Sequence, residues 1–161
     1  MATGIFNFLA GNNFFMVTFL EYSHFSCIFS EEEISEEYSM KILVPFCVES
    51  SLSGIRKPVS PTDKMVYRTI LTVPPEWGSK KLRLHFEAVD YDTTVYVDNK
   101  IEGKHLGGYD SFHVDISDKR QKGDGTDEKR SHEIVVVVTD PTQTKSIPVG
   151  KQWTGIIHYM T

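Results

Sequence analysis

In KKLRLHFEAVDY, residues 80–91, Leu82, Leu84, Phe86 and Ala88 alternate with Lys81, Arg83, His85 and Glu87. A period of two is the signature of a half-buried strand, one face on a core and the other in water. A slip of one residue would bury the polar set, so the register is strongly specified. Weaker versions of the pattern recur. VYRTILTV, 66–73, puts Tyr67, Leu71 and Val73 on one face, and TVYVD, 94–98, is β-branched and aromatic. Asp98-Asn99-Lys100 then reads as a hairpin turn, because Asp and Asn tolerate positive φ. FHVDI, 112–116, alternates Phe112, Val114 and Ile116 with His113 and Asp115. HEIVVVVTD, 132–140, carries four consecutive valines, which predicts a strand covered on both faces. Pro74 and Pro75 cannot continue a ladder and stop the second of these strands. Short strands with no convincing helix between them predict an all-β, antiparallel sandwich.

The first quarter of the chain is patterned differently. Residues 1–20 have no charged side chain, and Asn12-Asn13 interrupts their apolar run. No basic segment precedes that run, as a secretory signal requires. Nor does it supply the roughly 20 mainly apolar residues of a membrane span. A cytoplasmic location is therefore expected over secretion. SEEEISEEYS, 30–39, has five glutamates and no positive charge, and such a run repels itself. The expected organisation is an irregular leader and acidic linker over 1–39, with the aromatic part of the leader an alternative strand. A sandwich domain over 40–161 follows. VPFCVESSLSG, 44–54, opens that body with an apolar stub holding Cys47 and a small, polar, turn-forming corner.

Composition narrows the function. The net charge of −5 comes with scattered basic residues, which excludes the clustered positive face that nucleic acid needs. Two cysteines, Cys27 and Cys47, make no disulfide framework. Cys47 lies in an apolar stretch without cationic neighbours and reads as a small buried hydrophobe. The six histidines lack zinc-ligand spacing, and GDGTDE, 123–128, lacks the frame of a calcium loop. GKQ, 150–152, lacks the residues of a phosphate loop. No metal or cofactor is expected.

Five segments in order carry a resemblance: VPFCVESSLSGI, YRTILTVPPEW, LHFEAVDYDTTVYVDNK, GKHLGGYDSFHVDIS, and VVVVTDPTQ followed by GKQ. Together, over about Ile42 to Gln152, they resemble the N-terminal sugar-binding domain of family 2 glycoside hydrolases, which include β-galactosidases, β-glucuronidases and β-mannosidases. The resemblance implies a jelly-roll β-sandwich whose Ser-Gly corner lies at an edge, near a neighbouring domain. It departs from the family pattern in two places: the family's opening strand is not evident, and Ser111 stands where a proline usually precedes Phe. Retaining glycosidases use two carboxyl groups about 5 Å apart, and in this family both are glutamates of a barrel domain. A chain ending at Thr161 is expected to lack that barrel and to be catalytically silent alone.

The acidic residues offer no obvious substitute pair. Glu87 falls on a solvent face, and Asp90, Asp92, Asp110 and Asp115 fall at strand ends or turns. Asp140 stands out, since it ends the valine strand and opens DPT. Asp before Pro is a turn initiator. The resemblance implies instead that Asp140 reaches sugar hydroxyls, which a carboxylate binds with charge-assisted hydrogen bonds. Gln152 is a second candidate substrate-binding residue, able to donate and accept, or else a satisfied loop amide. Tyr109, after Gly107-Gly108, is either a sugar-stacking ring or an edge-packing one. Trp77 and Trp153 read as packing residues.

The expected function is that of an accessory domain shaping the substrate pocket of a β-glycosidase. Its expected partners are a carbohydrate, namely a β-glycoside, and other glycosidase domains, with no nucleic acid and no membrane. Unpaired sheet edges also favour self-association. The alternative is a stand-alone carbohydrate- or protein-binding jelly-roll module, since fold alone does not fix function.

Overall fold

The structure is a computed structural model that describes residues 10–11, 14–17, 23–29, 40–44, 46–73, 81–116, 131–141 and 144–147. Among these residues ten strands form two sheets. In chain order they are β1 (Ala10–Gly11), β2 (Phe14–Val17), β3 (Ser23–Phe29), β4 (Met40–Val44), β5 (Lys64–Thr72), β6 (Lys81–Phe86), β7 (Asp92–Val97), β8 (Lys100–Leu106), β9 (Phe112–Asp115) and β10 (Ser131–Thr139). One sheet runs β1-β2-β6-β9 and the other β4-β3-β5-β10-β7-β8. All pairings are antiparallel except β2 with β6. The expected all-β antiparallel sandwich is the observed class.

The alternating patterns place the core where the sequence predicts it. Leu82, Leu84 and Phe86 of β6, with Val114 and Ile116, face Tyr67, Leu71, Val95, Val97, Ile134, Val136 and Val138 of the opposite sheet in one cluster. β6 stops at Phe86, so Ala88 lies beyond the ladder. The valine run of β10 is buried on both faces. Its even positions join the main cluster, and Val135 and Val137 form a second one with Val66 and Tyr96. β10 sits between β5 and β7 and pairs along its full length with β5, and on its outer face Val135 and Val137 are flanked by Val66 of β5 and Tyr96 of β7.

The turns follow local chemistry. Asp98 and Asn99 adopt φ of 49° and 63°, the left-handed pair of a two-residue hairpin turn joining β7 to β8. β8 was not marked by any alternation, and a bulge at Val95/Tyr96 shifts its register. The corner after β4 is a short 3-10 turn over Ser51–Ser53. The Ser50 hydroxyl caps it by accepting from Leu52 N–H, and Gly54 closes it at φ 84°. Ser53 is the buried member, its hydroxyl donating to the carbonyls of Ser50 and Val48. The serine-rich corner is thus partly internal.

Two expectations change. An irregular segment through residue 39 does not hold at residues 23–29. There β3 lies inside the six-stranded sheet, pairing Cys27 with Met40 of β4 and with Tyr67 of β5. The sequence SHFSCIF carries period two in Phe25, Cys27 and Phe29 against His24 and Ser26, broken by Ser23 and Ile28. Cys47, expected to be a buried hydrophobe, is only half-buried, and Cys27 is the buried cysteine. Cys47 follows the end of β4, where the chain leaves the sheet for the corner.

Candidate functional site

Three chain segments meet at one end of the six-stranded sheet. They are the approach to β7 at residues 89–91, the turn between β8 and β9 at residues 107–111, and the exit of β10 at Asp140. The register brings them together, because Asp92 pairs with Leu106 on one side and with Thr139 on the other. Beyond that row, Tyr91 N–H donates to Thr139 O at 3.3 Å, and Gly107 N–H donates to Tyr91 O at 2.9 Å. The Asp90–Tyr91 peptide bond is cis.

The two glycines explain how the turn fits. Gly107 has φ 129°, open to glycine and strained for other residues. Gly108 lies flat on Asp90: a Cβ there would stand 2.5 Å from the Asp90 Cγ and Oδ1. Asp90 is accordingly 2% exposed, and Asp140 is 6% exposed. Pro141 is buried behind it, and its carbonyl accepts from Thr144 N–H at 2.9 Å and from the Thr144 hydroxyl at 2.9 Å. Tyr109, Asp110 and Ser111 are exposed at the tip. The arrangement is a layer of interior carboxylates beneath an exposed tyrosine and aspartate.

The interior next to this end is also polar and aromatic. Phe112 is stacked on both faces, by Phe86 with centroids 4.5 Å apart and by His105 at 4.2 Å. Thr93 and His105 pair across β7 and β8. Among the described residues, the buried Thr93 Oγ1 and His105 Nε2 have no hydrogen-bond partner.

Asp140 therefore falls in a structured corner, next to groups the sequence placed only by type. Asp90 was read as a strand-end residue, and its burial under Gly108 carried no signal beyond the Gly-Gly doublet. Asp115 lies elsewhere, on β9, 3.8 Å from Arg83. Glu87 is exposed as expected. Gln152, Trp77 and Trp153 lie outside the described residues. At the opposite end of β10, His132 is fully buried with Nδ1 2.8 Å from Asp98 Oδ2. No sequence pattern marked that pair. Among the described residues, no group of three His, Cys, Asp or Glu side chains is placed to hold a metal ion.

Fold and topology define an all-β, antiparallel sandwich, and comparison with known proteins finds relatives of one kind. No family model matches the chain. A β-glucuronidase of Bacteroides fragilis is 36% identical over 58 residues, 36% of this chain and 8% of that protein. A β-galactosidase of Thermoanaerobacter pseudethanolicus is 32% identical over 82 residues, 51% of this chain and 10% of that protein. Among solved structures, a β-glucuronidase from Ruminococcus gnavus, in complex with a C6-substituted uronic isofagomine, superposes with a TM-score of 0.57 at 21% identity. It covers 74% of this chain and 21% of its own. A β-glucuronidase from an uncultured Clostridium sp. gives a TM-score of 0.55 at 17% identity, over 74% of this chain and 21% of its own. The matches bear out the resemblance drawn from the motifs. Over up to about half its length the chain is similar in sequence to proteins named β-glucuronidase and β-galactosidase.

Proposed function

We propose that this chain is an accessory sugar-binding domain of a β-glycosidase, which helps shape the pocket for a β-glycoside, with Asp140 and Gln152 as its sugar-contacting residues. The observation that carries the reading is the position of Asp140. The residue that the motif resemblance singles out follows Thr139, whose carbonyl accepts from Tyr91 N–H, and Tyr91 in turn is tied to Gly107. Ligand-binding groups on loops held by a rigid scaffold are the usual arrangement. Similarity to proteins named β-glucuronidase and β-galactosidase supports the carbohydrate class. Because this chain spans about a tenth or less of those proteins, hydrolysis belongs to the reading only as an activity of a longer protein.

Titration of the 15N-labelled 161-residue chain with methyl β-D-galactopyranoside and methyl β-D-glucuronide tests the reading. Amide shifts are expected to change at residues 90–92, 107–111 and 139–141 with millimolar affinity, and Asp140→Asn is expected to weaken them. Shifts that stay fixed at that corner for both sugars would overturn it. So would release of aglycone from an aryl β-glycoside by this chain above background, since the domain would then be no mere accessory.

A further inference from the structure

We propose that Tyr109 is a stacking platform for a neutral pyranose ring and that Asp110 beside it accepts the sugar's hydroxyls. This rests on the sugar-binding reading above and names the groups that face the ligand.

Among the Tyr and Phe side chains of residues 46–73, 81–116 and 131–141, Tyr109 is the exposed one, at 58%. Tyr67 and Tyr96 are buried in the two clusters, and Phe112 is covered on both faces. Tyr109 belongs to neither cluster. Its backbone is nevertheless held. Gly107 is tied to Tyr91 by a 2.9 Å hydrogen bond, and Gly108 is seated on the Asp90 carboxyl group. The ring thus projects from a turn whose ordering is already provided by the fold. A large, rigid, amphipathic ring presented with little entropy left to lose is what an aromatic contact needs to bind well.

Asp110 supplies the polar half. It is exposed, and its Oδ2 lies 3.8 Å from where a Cβ on Gly107 would stand, so the carboxylate folds back over the turn. An aromatic face takes the C–H face of a pyranose, and an adjacent carboxylate accepts its hydroxyls. Charge selects the sugar. Asp90, Asp92, Asp110 and Asp140 gather at this end, against Lys64 opposite Thr139 and Lys104 on the outer face of β8, with His105 on the inner face. A uronate would bring another carboxylate into that field, and like charges at short range disfavour binding. A neutral hexopyranoside fits better.

The test titrates wild-type chain, Tyr109→Ala, Tyr109→Phe, Asp110→Asn and Asp140→Asn with the same two methyl glycosides, using thermal melts by circular dichroism to confirm folding. Tyr109→Ala is expected to leave the melt unchanged and to raise the Kd for the galactoside at least about fivefold, the loss typical of truncating an anchoring side chain. Tyr109→Phe is expected to bind as wild type, because stacking does not need the hydroxyl. Asp110→Asn is expected to weaken galactoside binding and to narrow the preference for it over the glucuronide. Unchanged galactoside binding by Tyr109→Ala, alongside a loss in Asp140→Asn, overturns the stacking platform and leaves the sugar-binding reading standing. A wild-type preference for the glucuronide overturns the neutral-sugar assignment. Binding of neither sugar overturns both readings.

Discussion

Gly103 is where the absence of a side chain lets the two layers close. A Cβ there would stand 2.5 Å from Val114 Cγ2, at the contact of β8 with β9. The backbone around Gly103 is tied into the β7–β8 ladder and Val114 is buried, so neither yields cheaply. Gly103→Ala is expected to destabilise the fold by about 1–3 kcal/mol, as overpacking does, read as a lower urea midpoint with unchanged slope. Asp98 makes a different kind of contribution. Its carboxylate accepts from Glu133 N–H at 3.1 Å and pairs with the buried His132 Nδ1, while its own N–H donates to Glu133 O at 2.9 Å. Asp98→Ala strips the polar partner from a buried ring at a residue with φ 49°, and is expected to cost about 1–3 kcal/mol. Asp98→Asn keeps an acceptor and tolerates that φ, so it is expected to cost less. An Asn variant as unstable as the Ala variant would remove the hydrogen bond as the cause. Burial also pushes the Cys27 thiol from 9.0 up to about 11, with Lys57 opposing. The folded chain holds that proton more tightly than the unfolded one. The associated stability is therefore complete below pH 9.0 and is lost as pH rises toward 11. Burial shifts Tyr67 upward from 10.0 as well, so its own contribution begins to be lost above pH 10.0. Cys27→Ala is expected to flatten the fall in denaturation midpoint across pH 9 to 11 relative to wild type; an unchanged slope would exclude Cys27 as its source.

Among the elements, those with one dry face and one wet face were legible and those with compromised patterns were not. β6 announces itself because Lys81, Arg83 and His85 must face outward for Leu82, Leu84 and Phe86 to face in. The turn between β7 and β8 was legible because few residues besides Asp and Asn accept its φ values. β8 was not, since its Gly103 makes room for Val114, its bulge breaks the alternation, and Ile101 and Leu106 are exposed. β3 was missed because serines and a histidine occupy a strand paired on both sides. The corner around Asp140 was only half legible. The Asp-Pro step marked the end of β10, but its neighbours arrive from residues 90–91 and 107–108 through registers that no local pattern encodes. The position of β3 carries its own consequence. A chain that starts at Met40 would retain every strand expected from the sequence but would leave β4 and β5 without the partner between them. Buried strand edges left unpaired are costly and invite aggregation. Such a truncation is expected to lower the thermal midpoint or to fail to fold, as seen by circular dichroism. A truncated chain as stable as the full one would show that β3 is dispensable.

On the scale of the whole molecule, the two sheets do not own separate cores. Leu82, Leu84, Phe86, Val114 and Ile116 contribute to the same cluster as Ile42, Val95 and Val136 from the opposite sheet. Neither sheet can come apart without exposing the inner face of the other. β10 extends the coupling to the outside, because its alternate valines join the second cluster on the sheet's other face. Three tyrosines report on different places: Tyr67 in the main cluster, Tyr96 in the outer one, and Tyr109 at the exposed turn. Urea unfolding followed by near-ultraviolet circular dichroism, which senses tyrosine packing, and by far-ultraviolet circular dichroism, which senses the strands, is therefore expected to give coincident transitions. The corner should follow the same transition, because its hydrogen bonds run from Tyr91 and Gly107, which flank β7 and β8, to Thr139, the last residue of β10. Amide exchange at Gly107 that tracks global unfolding would mark the turn as part of the cooperative unit. Fast exchange there, while the β10 valines remain protected, would mean that the turn opens on its own, and Tyr109 would then have to be ordered at the expense of its ligand's affinity.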